Sequence, residues 1–294
     1  MFDDFKNAFQ RPNHAHVQMI IINVVVFAVV GIITVFATLG EFGWVADIIE
    51  NQFSIPAQFS KFMSRPWTLI TYSFSHAGFM HILFNMLALY WFGQLFKEYL
   101  GSDKLIALYL LGAMVGGMFY LMAFNLIPYY VKTYEHVNLE LLGASAAVDA
   151  IVVAAATLLP DYTFFLLFIG PVRIKYIAMV TVLLSFLGTI ESNAGGNIAH
   201  LGGALMGFVY IKQLQAGVNW GGWITATLDW IKSLFSSKPK VKVTYRKTEP
   251  VKKSSGISKA SQEEIDLILD KISDRGYESL TKEEKEKLFN ASKK

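Results

Sequence analysis

The chain has 294 residues, of which 53% are hydrophobic and 17% are charged. Soluble proteins carry about 25% charged residues, so this composition favours a membrane protein. The 23 Phe residues exclude a disordered or fibrous chain, and the absence of Cys excludes disulfides, thiol nucleophiles and thiolate zinc sites. Residues 236–294 hold 25 of the 49 charged residues, which predicts a membrane part followed by a soluble tail. The net charge of +3 comes from that tail and gives no reason to expect nucleic acid as a partner.

Six apolar segments are long enough to cross a bilayer, for which a helix needs about 20 residues. They cover residues 17–39, 79–97, 104–124, 141–159, 172–190 and 197–215. The first segment is too long for the core of a signal peptide, and no small-residue cleavage site follows it, so we expect it to be retained. The sequence therefore predicts an all-α polytopic membrane protein, a bundle of six transmembrane helices with a small soluble α-helical tail.

The distribution of Lys and Arg predicts the orientation of these spans, because cytoplasmic loops are enriched in both residues. With a cytoplasmic N-terminus, the outer loops hold only Lys61, Arg65 and Lys132. The cytoplasmic side then holds Lys6, Arg11, Lys97, Lys104, Arg173, Lys175 and the basic tail. We therefore expect a multi-pass protein of the cell (inner) membrane, embedded in the lipid bilayer, with both termini in the cytoplasm.

The chain is predicted to have five parts. They are a cytoplasmic N-terminal segment (1–16), the six-span domain (17–215), an interfacial amphipathic segment (216–235), a flexible basic linker (236–260) and a small helical cytoplasmic tail (261–294).

The tail is predicted to form a helical hairpin. Capping boxes at Ser261 to Glu264 and at Thr281 to Glu284 mark the starts of two helices, and Gly276 is placed to end the first. A hairpin of this size has little core of its own. We expect it to bind a cytoplasmic partner or to modulate activity, and it contains no catalytic pattern.

Strongly polar side chains inside the spans mark candidate sites, because such groups are costly in lipid. Span 2 contains His81 and Asn85, span 4 contains Ser145 and Asp149, and span 6 begins with His200. Spans 2, 4 and 6 run in the same direction, so His81, Ser145 and His200 lie at a similar depth just below the outer surface. A serine beside a histidine base, at a helix N-terminus that offers unpaired N–H groups, suits hydrolysis.

Three motifs occupy these spans in order. They are His81-Ile-Leu-Phe-Asn85, Gly143-Ala-Ser145-Ala146 and Ala199-His200-Leu-Gly-Gly203-Ala-Leu-Met-Gly207. They resemble the HxxxN, GxSG and AHxxGxxxG motifs of the rhomboid family of intramembrane serine proteases, and the resemblance covers residues 17–215. It implies a serine endopeptidase that cleaves transmembrane proteins without a cofactor. It further implies that Ser145 is the nucleophile, that His200 is its base, and that His81, Asn85 and the Ser145 N–H form the oxyanion hole.

Small residues at the motifs predict close helix packing. Gly203 and Gly207 are spaced like the alanines at 146, 150 and 154, and small residues let two helices approach closely. We expect Gly203, Gly207 and Gly143 to permit tight packing at the site. The packing of spans 4 and 6 would then hold His200 near Ser145.

Two residues depart from the family pattern. Ala146 stands where the family has its second Gly, and Asp149 stands where many members have an aromatic residue against the catalytic His. Asp149 could accept a hydrogen bond from His200 and fix its tautomer, as in a triad. Alternatively, Asp149 faces a water-filled cavity or bonds another nearby polar group.

Other functions remain as alternatives. One is a catalytically inactive rhomboid-like protein that binds membrane clients. Another is a small-solute transporter, but its mark would be inverted repeats with broken helices, and the sequence has no repeat. A metal site is not expected, because no carboxylate or Cys completes a ligand set with His76 and His81.

Overall fold

The computed structural model describes residues 14–166, 169–235 and 259–292. The chain forms two compact units, Met1–Ser237 and Lys238–Lys294. Most of the predicted N-terminal segment (1–16) and of the predicted linker (236–260) lies outside the described residues.

The first unit is helical, with two small pairs of strands. Its first half contains α1 (Ala15–Leu39), α2 (Gly43–Glu50), β1 (Ile55–Pro56), α3 (Phe59–Phe62), α4 (Thr68–Thr71), α5 (Phe79–Leu100) and α6 (Ser102–Leu126). Its second half contains α7 (Pro128–Thr133), β2 (Glu140–Leu141), α8 (Ser145–Leu158), β3 (Thr163–Leu166), β4 (Gly170–Arg173), α9 (Ile174–Leu187), α10 (Ala194–Gln215) and α11 (Gly222–Phe235). Short 3-10 turns follow α4 and α9 at Tyr72–Phe74 and Gly188–Ile190. The predicted all-α polytopic class is confirmed.

Three helices in the described ranges, α1, α5 and α6, are long and apolar enough to cross a membrane. Helices α8 and α9 are apolar but have 14 residues each. At a rise of about 1.5 Å per residue they are about 21 Å long, less than the hydrocarbon thickness of about 30 Å. Helix α10 has 22 residues and carries the glycine-rich third motif.

The helix of the fourth span begins later in the chain than the hydropathy pattern predicts. Residues 141–159 were expected to be helical, but the helix begins at Ser145. The cause is Gly143, whose φ of +127° is incompatible with a right-handed helix. Its N–H donates to the Tyr72 carbonyl at 3.0 Å, and Leu141 pairs with Ile55 in a short antiparallel ladder. Ser145 therefore stands at the start of a helix and not one turn inside it.

The fifth predicted span also begins later than expected. Residues 172–173 belong to a β-hairpin, in which Thr163 pairs with Arg173 and Leu166 with Gly170. Asp161, before the hairpin, contacts Arg173 at 3.2 Å and Lys175 at 2.7 Å. These two cations hold the pKa of the exposed Asp161 carboxyl below its usual value, Lys175 more strongly than Arg173.

Helix α8 lies at the centre of the unit, packed against α5, α6, α9 and α10. A Cβ on Gly203 of α10 would overlap the Ala146 carbonyl, and one on Gly207 would overlap the Ala150 carbonyl. On the other side, Gly116 of α6 leaves room for the Ala146 methyl. The backbones of α8 and α10 are therefore in direct contact, and only glycine fits at the two α10 positions.

Buried hydrogen bonds join the first helix to the rest of the unit. Asn23 of α1 donates to the Tyr109 hydroxyl of α6 at 3.2 Å, and Tyr109 donates to the Ser73 carbonyl at 2.6 Å. Tyr72 donates to the Ala113 carbonyl at 2.7 Å. These bonds fix the segment before α5, which in turn fixes Gly143 through the Tyr72 carbonyl.

The second unit is a hairpin of α12 (Lys259–Arg275) and α13 (Lys282–Ser292), joined through a 3-10 turn at Tyr277–Ser279. Gly276 ends α12 with φ +75°, as predicted. The Thr281–Glu284 capping box is present, because the Thr281 N–H donates to Glu284 at 2.7 Å and the Glu284 N–H donates to Thr281 at 3.3 Å. The predicted cap at Ser261 is wrong, since α12 already includes Lys259 and places Ser261 inside the helix.

Candidate active site

Ser145 stands where the chain turns from β2 into α8. It is the first residue of the helix, and the preceding backbone is bent by the left-handed Gly143. The first N–H groups of a helix have no partner within it, and the helix dipole favours negative charge there. The local fold therefore places the Ser145 hydroxyl beside backbone donors that can hold an anion.

His200, in the second turn of α10, lies against this serine. The distance from His200 Nε2 to Ser145 Oγ is 2.7 Å. The two residues are 55 positions apart in sequence, and the direct contact of α8 with α10 brings them together. In this geometry the hydroxyl can donate to Nε2, and the neutral imidazole then carries its proton on Nδ1.

The other nitrogen of His200 faces two oxygens. Ser185 Oγ lies 3.4 Å from Nδ1, and Asp149 Oδ2 lies 3.7 Å from it. Asp149 is one helical turn after Ser145, so both face His200 from α8. Ser185 is not among the site residues predicted from the sequence. Its one signal was a polar residue within the apolar segment 172–190.

His81 and Asn85 lie on α5, opposite the start of α8. A Cβ on Gly143 would come within 2.7 Å of the His81 ring, so the imidazole lies directly against the backbone two residues before Ser145. Glycine is required there for both its φ and its size. The Asn85 amide donates to the His81 carbonyl at 2.9 Å, which leaves its second N–H available to another acceptor.

His76 packs edge-on against His81, with ring centroids 5.1 Å apart. It is buried, with 8% of its surface exposed. His76 therefore packs behind His81 and supports its position against Gly143.

These residues open into one cavity of about 750 Å³. Ser145, His200, His81, Asn85 and Asp149 all line it. The strand residues before Ser145, the loop residues 192–193 and the first turn of α10 (194–196) form further parts of the wall. Ligand cavities of proteins are typically about 300–1,000 Å³, so this cavity is large enough to bind a ligand.

The wall contributed by β2 is tied to the segment before α4. The Arg65 guanidinium lies 3.8 Å from the Glu140 carboxylate and donates to the Asn51 carbonyl at 2.6 Å. The Ser54 hydroxyl also donates to the Glu140 carboxylate. The Ala57 N–H donates to the Leu139 carbonyl at 3.0 Å. The chain segment that precedes Ser145 is thus held in place by these side-chain contacts as well as by the pairing of β1 with β2.

The rhomboid domain family matches residues 63–215, and a family of unknown function, DUF6576, matches residues 258–294. The first match covers more than half of the chain and contains all three motifs. The chain therefore belongs to the rhomboid family.

Named relatives agree with this assignment. RHOMBOID-like protein 12, mitochondrial, of Arabidopsis thaliana is 33% identical over 51% of this chain and 47% of its own length. The putative rhomboid protease YdcA of Bacillus subtilis is 29% identical, over 51% of this chain and 69% of its own. Rhomboid protease GlpG of Haemophilus influenzae is 26% identical, over 50% of this chain and 69% of its own. The chain spans about half the length of the plant relatives that it matches.

Proposed function

We propose that this protein is an intramembrane serine endopeptidase that cleaves transmembrane proteins near the outer face of the membrane. The observation that carries the proposal is the 2.7 Å contact of His200 Nε2 with Ser145 Oγ inside a cavity at a helix N-terminus. Two relatives are named as rhomboid proteases, one of them as putative. The cavity supplies the space for the reacting peptide, and the dyad supplies the chemistry.

In the proposed reaction, Ser145 Oγ attacks the carbonyl carbon of the scissile bond while His200 Nε2 accepts the hydroxyl proton. The tetrahedral oxyanion is held by the Ser145 N–H, His81 and Asn85. When the C–N bond breaks, His200 returns the proton to the leaving amine, and an acyl ester remains on Ser145. A water molecule, deprotonated by His200, then attacks the ester, releases the new carboxyl terminus and regenerates the hydroxyl.

The site also constrains the substrate. Helical carbonyls are hydrogen-bonded and shielded, so a transmembrane helix must unwind before its backbone can reach Ser145. Substrates with small or helix-breaking residues near the outer membrane face are therefore expected.

The membrane we propose is the cell (inner) membrane, with both termini in the cytoplasm. The second unit is proposed to bind a cytoplasmic partner there.

The test is cleavage of a model transmembrane substrate, together with labelling by a fluorophosphonate probe. We expect wild type to cleave and to be labelled, whereas Ser145→Ala and His200→Ala lose about 10³-fold or more of turnover. Ser64→Ala is the matched control, because this serine is exposed and its hydroxyl donates to the nearby Lys61 carbonyl. If wild type is neither labelled nor active, the protein is instead an inactive member that binds membrane clients.

A further inference from the structure

The two nitrogens of His200 have different neighbours. Nε2 contacts Ser145 of α8, whereas Nδ1 faces Ser185 of α9 at 3.4 Å and Asp149 of α8 at 3.7 Å. The Ser185 residue is 4% exposed, and the Asp149 side chain is 13% exposed. Three helices therefore enclose the imidazole, and two oxygen atoms compete for the same ring nitrogen.

We propose that Ser185 and Asp149 are joint positioning residues, which hold the Nδ1 proton of His200 and can each accept it when the other is lost. The inference rests on the proposed function, in which Nε2 must be free to accept the Ser145 proton. A neutral imidazole carries one N–H, so an acceptor at Nδ1 selects the tautomer with the lone pair on Nε2. This is the tautomer that a general base needs.

The hydroxyl of Ser185 is directed at His200 and not at its own helix. Serine and threonine inside helices commonly bond back to the carbonyl four residues earlier. Thr181, one turn before on α9, does this, with Oγ1 donating to the Ile177 carbonyl at 3.0 Å. For the Ser185 hydroxyl, the one hydrogen-bond partner in the described part of the chain is His200 Nδ1.

The two residues act differently on the imidazole. Ser185 offers a neutral acceptor at the shorter distance, and it orients the ring. Asp149 offers a charge, which stabilises the imidazolium that forms when His200 takes the proton. Asp149→Asn keeps the shape, removes the charge and presents an N–H that favours the wrong tautomer. Because either oxygen accepts the same proton, loss of both costs more than the product of the single losses.

The kinetic test uses the purified full chain and a transmembrane substrate. We expect Ser185→Ala and Asp149→Asn each to lower kcat about tenfold at similar KM, part of the 10²–10⁴-fold that a positioned base contributes. The double variant should fall by more than about 100-fold, since the two losses are not independent. Ser185→Thr keeps a hydroxyl at this position, so its turnover should be close to that of wild type. Thr181→Val, on the same helix, is the control.

A spectroscopic test separates positioning from a general structural role. With ¹⁵N-labelled histidine, the His200 signal (assigned by its loss in His200→Ala) should report the Nδ1–H tautomer in wild type. In the double variant it should shift toward the Nε2–H tautomer, and in Thr181→Val it should not. The inference is overturned if the double variant keeps both the wild-type tautomer and the wild-type kcat, or if the two losses simply multiply. Failure of the proposed function looks different, because wild type would then show neither labelling nor cleavage that depends on Ser145.

Discussion

Gly203 controls the separation of the two helices that carry the catalytic candidates. With no Cβ, it lets α10 rest on the backbone of α8 at Ala146, the residue after Ser145. His200 is three residues before Gly203 and therefore lies on the same side of α10. The 2.7 Å contact of His200 with Ser145 thus depends on a backbone contact one turn away.

We predict that Gly203→Ala strongly lowers the proposed protease activity while His200 and Ser145 are still present. The new methyl would overlap the Ala146 carbonyl, so α10 must move away from α8. A misplacement of about 1 Å at reacting groups can cost about 10²-fold in rate, and overpacking costs about 1–3 kcal/mol of stability. The measurements are kcat/KM on a transmembrane substrate and the thermal midpoint in detergent.

The matched control for Gly203 is Gly31→Ala. A Cβ on Gly31 of α1 meets no atom within 4 Å, so this variant should keep wild-type turnover. Wild-type activity of Gly203→Ala would show that the backbone contact does not position His200. Equal losses in both variants would mean that alanine at any helical glycine harms this protein.

Ala146 shows how a departure from the family pattern is accommodated. Its methyl group faces Gly116 of α6, where a second Cβ would lie only 2.6 Å away. The extra methyl on α8 is therefore matched by the absence of one on α6. The sequence alone reveals Ala146, but the pairing with Gly116 depends on the three-helix packing.

At the scale of elements, motif order predicts which helices carry the candidate site residues, but not where α8 begins. Apolarity continues through residues 141–144, so a hydropathy pattern includes them in the span. The φ of Gly143 and the pairing of Leu141 with Ile55 exclude them from the helix, and both depend on distant chain segments. Ser185 was missed for a similar reason, because a single serine in an apolar helix is usually a packing residue until its neighbour is known.

The stability of the helical hairpin in the second unit is expected to depend on pH through Glu284. Glu284 accepts hydrogen bonds from the Thr281 N–H and from Lys271, which hold the pKa of its carboxyl at about 2, below its ordinary value of 4.5. A group whose pKa is lowered by folding stabilises the fold fully above its ordinary pKa and loses that effect as it protonates. Glu284 thus supports the hairpin above pH 4.5 and ceases to do so as the pH falls toward about 2.

We predict that hydrogen exchange of the α13 amides in the full chain becomes faster, after correction for intrinsic rates, as the pH falls from 4.5 toward about 2. Glu284→Gln should exchange faster already at neutral pH and should lack this dependence. Glu283→Gln is the control, since it removes a charge from the same turn but leaves the capping box intact. The same pH dependence in Glu284→Gln as in wild type would contradict the prediction.

At the scale of the whole molecule, the site lies at one end of the bundle. His81, Ser145 and His200 are all near the N-terminal ends of their helices α5, α8 and α10. The loop of residues 134–139 belongs to the same end, because it leads directly into β2 and the Ser145 turn. Whichever side of the membrane this loop faces is therefore the side on which the cavity opens and on which the proposed cleavage takes place.

The orientation can be measured cleanly because the chain contains no Cys. We predict that His136→Cys, at an exposed position of this loop, is labelled by a membrane-impermeant maleimide on intact bacterial cells. Asn290→Cys, exposed on α13, should be labelled only after the cells are permeabilised. The reverse pattern would place the cavity on the cytoplasmic side. The peptide bond cut by Ser145 would then lie near the inner face, and the second unit would lie on the opposite side from the one proposed.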